Sequence, residues 1–327
     1  MTDSSLIAIP LPFGLAPLTA APAILWGLGA VFVLVTLGAI AAMVLPRLRP
    51  GKDYSNLSQR VNSWWVMIAL LAAALLLGWQ ATTALFFVIS FIALREFLSL
   101  APMRREDRYV ILAAYLAVII NYAFIAFNEL GIYLVFIPVY CFMVAPFLMA
   151  WIGQTKGFLS TAATIHWALV SCVYSIGYVA LLMRTPAIAH PPAGGAGLVF
   201  LLLAATEAND VAQYVWGKLF GRHKITPKVS PNKTWEGFIG GWITTAALIW
   251  FVGPLFAPLH GAGRAWIAAT LPLAGFAGDV TMSAIKRDIG VKDTSALIPG
   301  HGGMLDRVDS LTFTAPLFFH LLAFFSA

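Results

Sequence analysis

The chain alternates long apolar runs with short polar joints. About 20 apolar residues in a helix cross roughly 30 Å of hydrocarbon. Candidate runs lie near 23–45, 63–80, 82–99, 109–127, 132–151, 164–183, 198–217, 238–257, 265–285 and 310–326. The second and third are short and separated only by Trp79 and Gln80, so the pattern allows nine or ten spans. In lipid every backbone polar group must be satisfied internally, which a helix does. The pattern therefore predicts an all-α polytopic membrane protein of nine to ten transmembrane helices.

Composition agrees. Hydrophobic residues make up 60% of the chain and charged residues 10%, against about 45–50% apolar in a soluble domain. The charges are unevenly placed. Segments 46–62, 100–108, 152–163, 218–236 and 286–309 hold 17 of the 20 Lys and Arg residues. All five fall on one side if ten spans alternate, and the positive-inside rule makes that side the cytoplasm, with both termini opposite. This predicts a multi-pass membrane protein. Cys141 and Cys172 lie inside apolar runs, which excludes a disulfide framework. Residues 1–22 carry four prolines and no Lys or Arg, so they read as a loose leader rather than a cleavable signal peptide. Residues 23–197 read as a helical scaffold and 198–327 as the catalytic region, with a loop over His190–Gly197 and no internal repeat.

Polar chemistry concentrates in two stretches of the C-terminal third. In Thr206–Gly241, Glu207, Asp210 and Tyr214 share one helical face, with Asn209, Gln213 and Lys218 beside it. A carboxylate inside a span faces a polar cavity or a partner by default. Ser230, Lys233 and Thr234 then form a phosphate-binding edge at the start of the next helix. The second stretch is Ser283–Asp309, with Asp279 just upstream; Asp279, Ser283, Lys286 and Arg287 recur along one face of the ninth span. Asp279, Asp306 and Asp309 offer hard oxygen ligands, and Lys286, Arg287, Lys292 and Arg307 offer phosphate contacts. Gly300, Gly302 and Gly303 let backbone N–H groups approach a ligand closely. Arg95, Glu96 and His320 read as interface or bundle residues. No second His or Cys stands near His301 in sequence, so zinc spacing is absent.

These stretches resemble the phosphatidate cytidylyltransferases (CDP-diacylglycerol synthases). The resemblance rests on Ser283, Ile285, Lys286, Arg287, Lys292, Asp293, Ser295, Pro299, His301, Gly302, Gly303, Asp306, Arg307 and Asp309. It extends to Asp210, Tyr214, Gly217, Ser230, Pro231, Lys233, Thr234 and Gly237, and is weak over the first half of the chain. Gln213 departs from it, standing where the bacterial enzymes usually carry a small residue, and with Glu207 it marks a sub-group. The family implies CTP and phosphatidic acid as substrates, and CDP-diacylglycerol and pyrophosphate as products. It implies Mg²⁺, with a second cation completing a two-metal clamp, in a polar catalytic notch at the cytoplasmic side of a bacterial-type inner (cell) membrane. Asp279, Asp306 and Asp309 would hold metal. Lys286, Arg287, Lys292, Asp293, Arg307 and His301, the last as a phosphate donor, would join the catalytic set. Asp210, Tyr214, Ser230, Lys233, Thr234, Ser283, Gly302 and Gly303 would bind substrate. The lipid bilayer is the other partner, a homodimer is one available assembly, and no nucleic acid is expected. Two other classes compete. A CTP-dependent lipid kinase would yield CDP and a phospholipid. An ion-coupled transporter would need acids along both leaflets, whereas Glu129 alone lies in an outer loop.

Overall fold

The structure, a computed structural model, describes residues 7–9, 18–48, 54–153, 155–184 and 191–326. Among them ten helices are long and apolar enough to cross a membrane. They are α1 (Pro22–Leu48), α2 (Ser55–Leu77), α3 (Trp79–Leu100), α4 (Arg108–Phe127), α5 (Leu130–Trp151), α6 (Phe158–Leu181), α7 (Gly194–Phe220), α8 (Trp235–Val252), α9 (Gly261–Asp288) and α10 (Leu305–Ser326). The all-α polytopic class is thus what the chain forms.

Gly78 decides between nine spans and ten. It ends α2, donating to the Ala74 carbonyl, and restarts the ladder by accepting from Thr82 N. Its φ of 96° lies in the left-handed region that favours glycine. The chain therefore turns at one residue, and the short second and third runs are separate helices. Two helices carry π-helical stretches, at Phe136–Cys141 in α5 and Val170–Tyr174 in α6. Pro138 in the first lacks an N–H, which disrupts the regular ladder there.

The core lies where α3, α4 and α6 meet α10. Its tyrosine hydroxyls are paired. Tyr133 donates to the Tyr174 carbonyl at 2.7 Å, Tyr178 donates to the Tyr174 hydroxyl at 2.7 Å, and His320 Nε2 lies 2.9 Å from the Tyr178 hydroxyl. The outward faces are apolar, as Phe32 and Leu37 on α1 or Leu112 and Leu116 on α4 show. Such faces suit lipid as the surrounding solvent.

Helix α8 lies unusually close to α7. A Cβ placed on Gly241 would fall 2.3 Å from Gln213 Cγ, and one on Gly237 would fall 2.7 Å from the Gln213 carbonyl. Small residues four apart permit this backbone approach. Asn209 of α7 ties the neighbours together, donating to the Pro272 carbonyl of α9 at 3.2 Å and accepting from Thr245 of α8 at 3.4 Å.

Two short ribbons complete the fold. β1 (Ile7–Ile9) pairs antiparallel with β2 (Leu18–Ala20) inside the 1–22 segment expected to be a loose leader; residues 1–6 and 10–17 of it lie outside the described residues. β3 (Lys224–Thr226) pairs with β4 (Ser230–Thr234) in the joint between α7 and α8. The loop expected over His190–Gly197 is shorter, because α7 already begins at Gly194, and His190 lies outside the described residues.

Candidate active site

The β3–β4 hairpin is fastened to α8 and α9. Thr234 stands at the N-cap of α8 in extended conformation, and its Oγ1 accepts from Gly237 N at 3.2 Å. Glu236 in the first turn accepts from the backbone N–H of Arg222 at 3.0 Å and of His223 at 3.2 Å. Arg287, at the end of α9, donates to the Val229 carbonyl at 3.3 Å and the Val291 carbonyl at 3.0 Å. From β4, Lys233 Nζ reaches Asp279 Oδ2 of α9 at 2.6 Å and lies 4.6 Å from the centre of the Phe276 ring. Ser283, one turn further along α9, donates to Asp279 Oδ1 at 3.2 Å.

Between hairpin and helices opens a polar cleft of about 540 Å³. Lys218, Lys224 and Lys233 line it together with Asp210, Asp279, Gln213, Tyr214, Asn232 and Thr234. Three lysines and two carboxylates facing one space suit a polyanion bridged by a cation.

A second, apolar cavity of about 210 Å³ lies between α2, α3, α7 and α10. Asp210 lines both cavities, and its Oδ2 accepts from Ser310 Oγ at 2.9 Å. Helical geometry explains the double exposure. Residues three apart step about 60° around a helix of 3.6 residues per turn, so Glu207, Asp210 and Gln213 fan over about 120°. Glu207 faces the apolar cavity, Gln213 the polar cleft, and Asp210 the edge between them.

The segment entering α10 forms a separate assembly built on two carboxylates. Asp306 Oδ1 pairs with Lys286 Nζ at 2.6 Å. Its Oδ2 accepts from Thr294 N at 2.8 Å, Gly303 N at 2.9 Å and Thr294 Oγ1 at 3.0 Å. Glu96, buried on α3, accepts from Ser295 Oγ at 2.7 Å, Leu305 N at 2.9 Å and Met304 N at 3.0 Å. Thr294 Oγ1 also lies 3.0 Å from Glu96 Oε2, so its one proton is shared between the two acids. A Cβ on Gly303 would sit 2.1 Å from that hydroxyl, so only glycine fits.

The same contacts show where the other expected residues lie. Glu96 is more than a bundle residue, because it pins the 294–305 loop to α3. The Gly303 N–H serves Asp306 rather than a substrate. Gly302, at φ 80°, accepts from Ile298 N at 2.8 Å. Arg287 clasps the hairpin instead of lining the cleft. Ser230 opens β4 opposite Thr226. Lys292 and Asp293 stand exposed on the loop after α9. His301 packs edge-on against Trp64, with ring centres 5.9 Å apart, on a loop that Ser63 holds through the Pro299 carbonyl at 2.8 Å. Burial, with Arg307 near, pushes the His301 pKa below its usual value, so the ring is neutral at pH 7. A neutral ring keeps one N–H donor, and the buried His301 Nδ1 has no hydrogen-bond partner among the described residues.

The three expected metal ligands do not gather. Among the described residues no three His, Cys, Asp or Glu side chains form a ready cation cage. Asp306 is already engaged on both oxygens. Asp279, Asp210 and Asp309 are close enough to feel one another's charge. Mg²⁺ is usually held by one or two carboxylates, substrate phosphates and water rather than by an all-protein cage. The hard-oxygen donors around the cleft fit that pattern.

Sequence reasoning missed Asn232 and Lys224 on the cleft, and Glu96, Thr294 and Ser310 around the carboxylates. An acid inside an apolar run was the available signal for Glu96.

Comparison with known proteins places this geometry. A model of the cytidylyltransferase family matches residues 58–325. The chain is 39% identical over 297 residues to the uncharacterized protein YnbB of Escherichia coli K12, covering 91% of this chain and 97% of that one. It is 40% identical over 145 residues to the phosphatidate cytidylyltransferase of Mycobacterium leprae, covering 42% of this chain and 45% of the relative. It is 39% identical over 149 residues to that of Haemophilus influenzae, covering 44% and 52%. The chain thus spans nearly all of YnbB but matches only about half the length of the two phosphatidate cytidylyltransferases.

Proposed function

Because the chain belongs to the cytidylyltransferase family, we propose that it transfers the cytidylyl group of CTP to phosphatidic acid, yielding CDP-diacylglycerol and pyrophosphate. The observation that carries this reading is Asp210, which borders the polar cleft on one side and the apolar cavity on the other. A water-soluble nucleotide and an amphiphilic acceptor need such a meeting point. The uneven Lys and Arg distribution supports a cleft that opens to the cytoplasm.

A lipid phosphate oxygen attacks the α-phosphorus of CTP. One P–O bond forms, the bond from the α-phosphorus to the bridging oxygen breaks, and pyrophosphate leaves with the electron pair. The attacking group is already an oxyanion, so no strong base is required. The difficulty is bringing two polyanions together in line. Lys218, Lys224 and Lys233 line the cleft where the triphosphate would lie. Asp279, backed by Ser283, holds the Lys233 ammonium at 2.6 Å and so limits its motion. Arg307 faces the apolar side, where it meets the acceptor phosphate. Lys286, shared between Asp306 at 2.6 Å and Asp309 at 3.9 Å, links the α10 assembly to these acids. Mg²⁺, held by Asp279 with Asp210 or Asp309 and by substrate phosphates, would neutralise charge on the reacting groups.

Purified protein in detergent is expected to release pyrophosphate from CTP only when phosphatidic acid and Mg²⁺ are both present. Pyrophosphate release that ignores the lipid would contradict the transfer.

A further inference from the structure

Glu207 and Arg307 face the apolar cavity with Asp210, yet neither side chain makes a hydrogen bond or ion pair among the described residues. They are near enough for Glu207 to feel the charge of Arg307, but they are not in ion-pair contact. Glu207 lies within the α7 span, where an unpaired carboxylate is costly, and Arg307 stands exposed in the first turn of α10. A purely structural pair would close the gap. A gap is what a ligand with two different polar groups would fill.

The surroundings set the order of those groups. Asp210, at the edge of the polar cleft, marks where the reacting phosphate lies. Glu207 is one turn deeper along α7, about 5 Å at 1.5 Å per residue. Beyond it the wall is apolar, formed by Met67, Ile68, Leu71, Phe86, Ile89 and Leu203. Going inward from the cleft, the cavity therefore presents a cation for phosphate, an acceptor one turn further, and then hydrocarbon. A diacyl glycerol phosphate carries an ester oxygen at the middle position, and an ester oxygen offers no proton to a carboxylate. A free hydroxyl two carbons from the phosphate does, and it lies about one helical turn from phosphorus.

We propose that this chain prefers an acceptor lipid with a free hydroxyl beside its phosphate, such as a lysophosphatidic acid, over the diacyl form. Glu207 accepts from the hydroxyl and Arg307 donates to the phosphate. The proposal rests on the cytidylyl-transfer reading and changes its preferred acceptor from the diacyl to the monoacyl glycerol phosphate.

The test compares 1-acyl lysophosphatidic acid with phosphatidic acid in two ways. One is kcat/KM with CTP and Mg²⁺; the other is equilibrium binding of each lipid to the purified protein without CTP. The wild type is expected to favour the hydroxyl-bearing lipid in both. Glu207→Ala should lower the preference about tenfold, the effect of one charge-assisted hydrogen bond. Glu207→Gln, which is isosteric and keeps a carbonyl acceptor, should restore part of it. An equal preference in wild type and Glu207→Ala, or a wild type that favours the diacyl lipid, overturns the proposal. If the wild type turns over neither lipid, the transfer reading fails, and the binding preference still decides the role of Glu207.

Discussion

Asp279→Asn is expected to lower turnover at least about a hundredfold while the protein still inserts and folds. The carboxylate does two things that an amide cannot do together. It holds Lys233 at 2.6 Å through one oxygen and takes the Ser283 hydroxyl at 3.2 Å through the other. It also adds charge to a cleft that must attract a cation. Asparagine keeps the shape, loses the charge and offers Lys233 a neutral oxygen. Asp306→Asn should give a comparable loss by a different route. One of its oxygens becomes an NH₂, which must face either Lys286 or the three donors on Oδ2. Initial rates at saturating Mg²⁺ and CTP, alongside size-exclusion profiles, separate catalytic loss from misfolding. A near-wild-type rate for Asp279→Asn would remove that residue from the site.

Glu96→Ala is expected to be the most destabilising substitution away from the cleft. The side chain is 8% exposed and receives two backbone N–H groups and two hydroxyls. Truncation leaves Ser295 Oγ and the Met304 and Leu305 N–H groups without their acceptor and the Thr294 hydroxyl with Asp306 alone, at a cost of about 3–5 kcal/mol. The loop 294–305 would lose its anchor on α3, and Asp306 would lose the frame that aims it at Lys286. Both thermal midpoint and activity should fall. Glu96→Gln keeps one carbonyl acceptor and should fall less. An unchanged midpoint for Glu96→Ala would show that the loop does not depend on α3.

The sequence makes some of this visible and hides the rest, for physical reasons. Hydrophobic run length shows nine to ten helices, because lipid imposes one length scale on all of them, and the turn at Gly78 makes the number ten. Helical period puts Asp279, Ser283 and Lys286 on one face of α9. It also puts Glu207, Asp210 and Gln213 side by side, but it does not show that two cavities flank α7. That division depends on α2 and α3 lying against one flank and on α8 and the hairpin against the other. The basic joint between α7 and α8 reads as a loop, yet forms a ribbon with Pro231 in β4. Long-range partners are invisible to local pattern. Glu96 and Thr294 are 198 residues apart, and no period relates them. The glycines beside His301 suggested a phosphate cradle. The small size of Gly302 and Gly303 makes room for the internal carboxylates Asp306 and Glu96, and Gly300 lies against Arg60.

The fate of the two ends of CTP tests the central claim most directly. Protein in detergent is given CTP labelled separately at the α- and γ-phosphorus, with Mg²⁺ and phosphatidic acid. Cytidylyl transfer predicts α-label in a CDP-lipid and γ-label in pyrophosphate. The opposite pattern, with γ-label in the lipid and α-label in free CDP, would mean phosphoryl transfer and contradict the account.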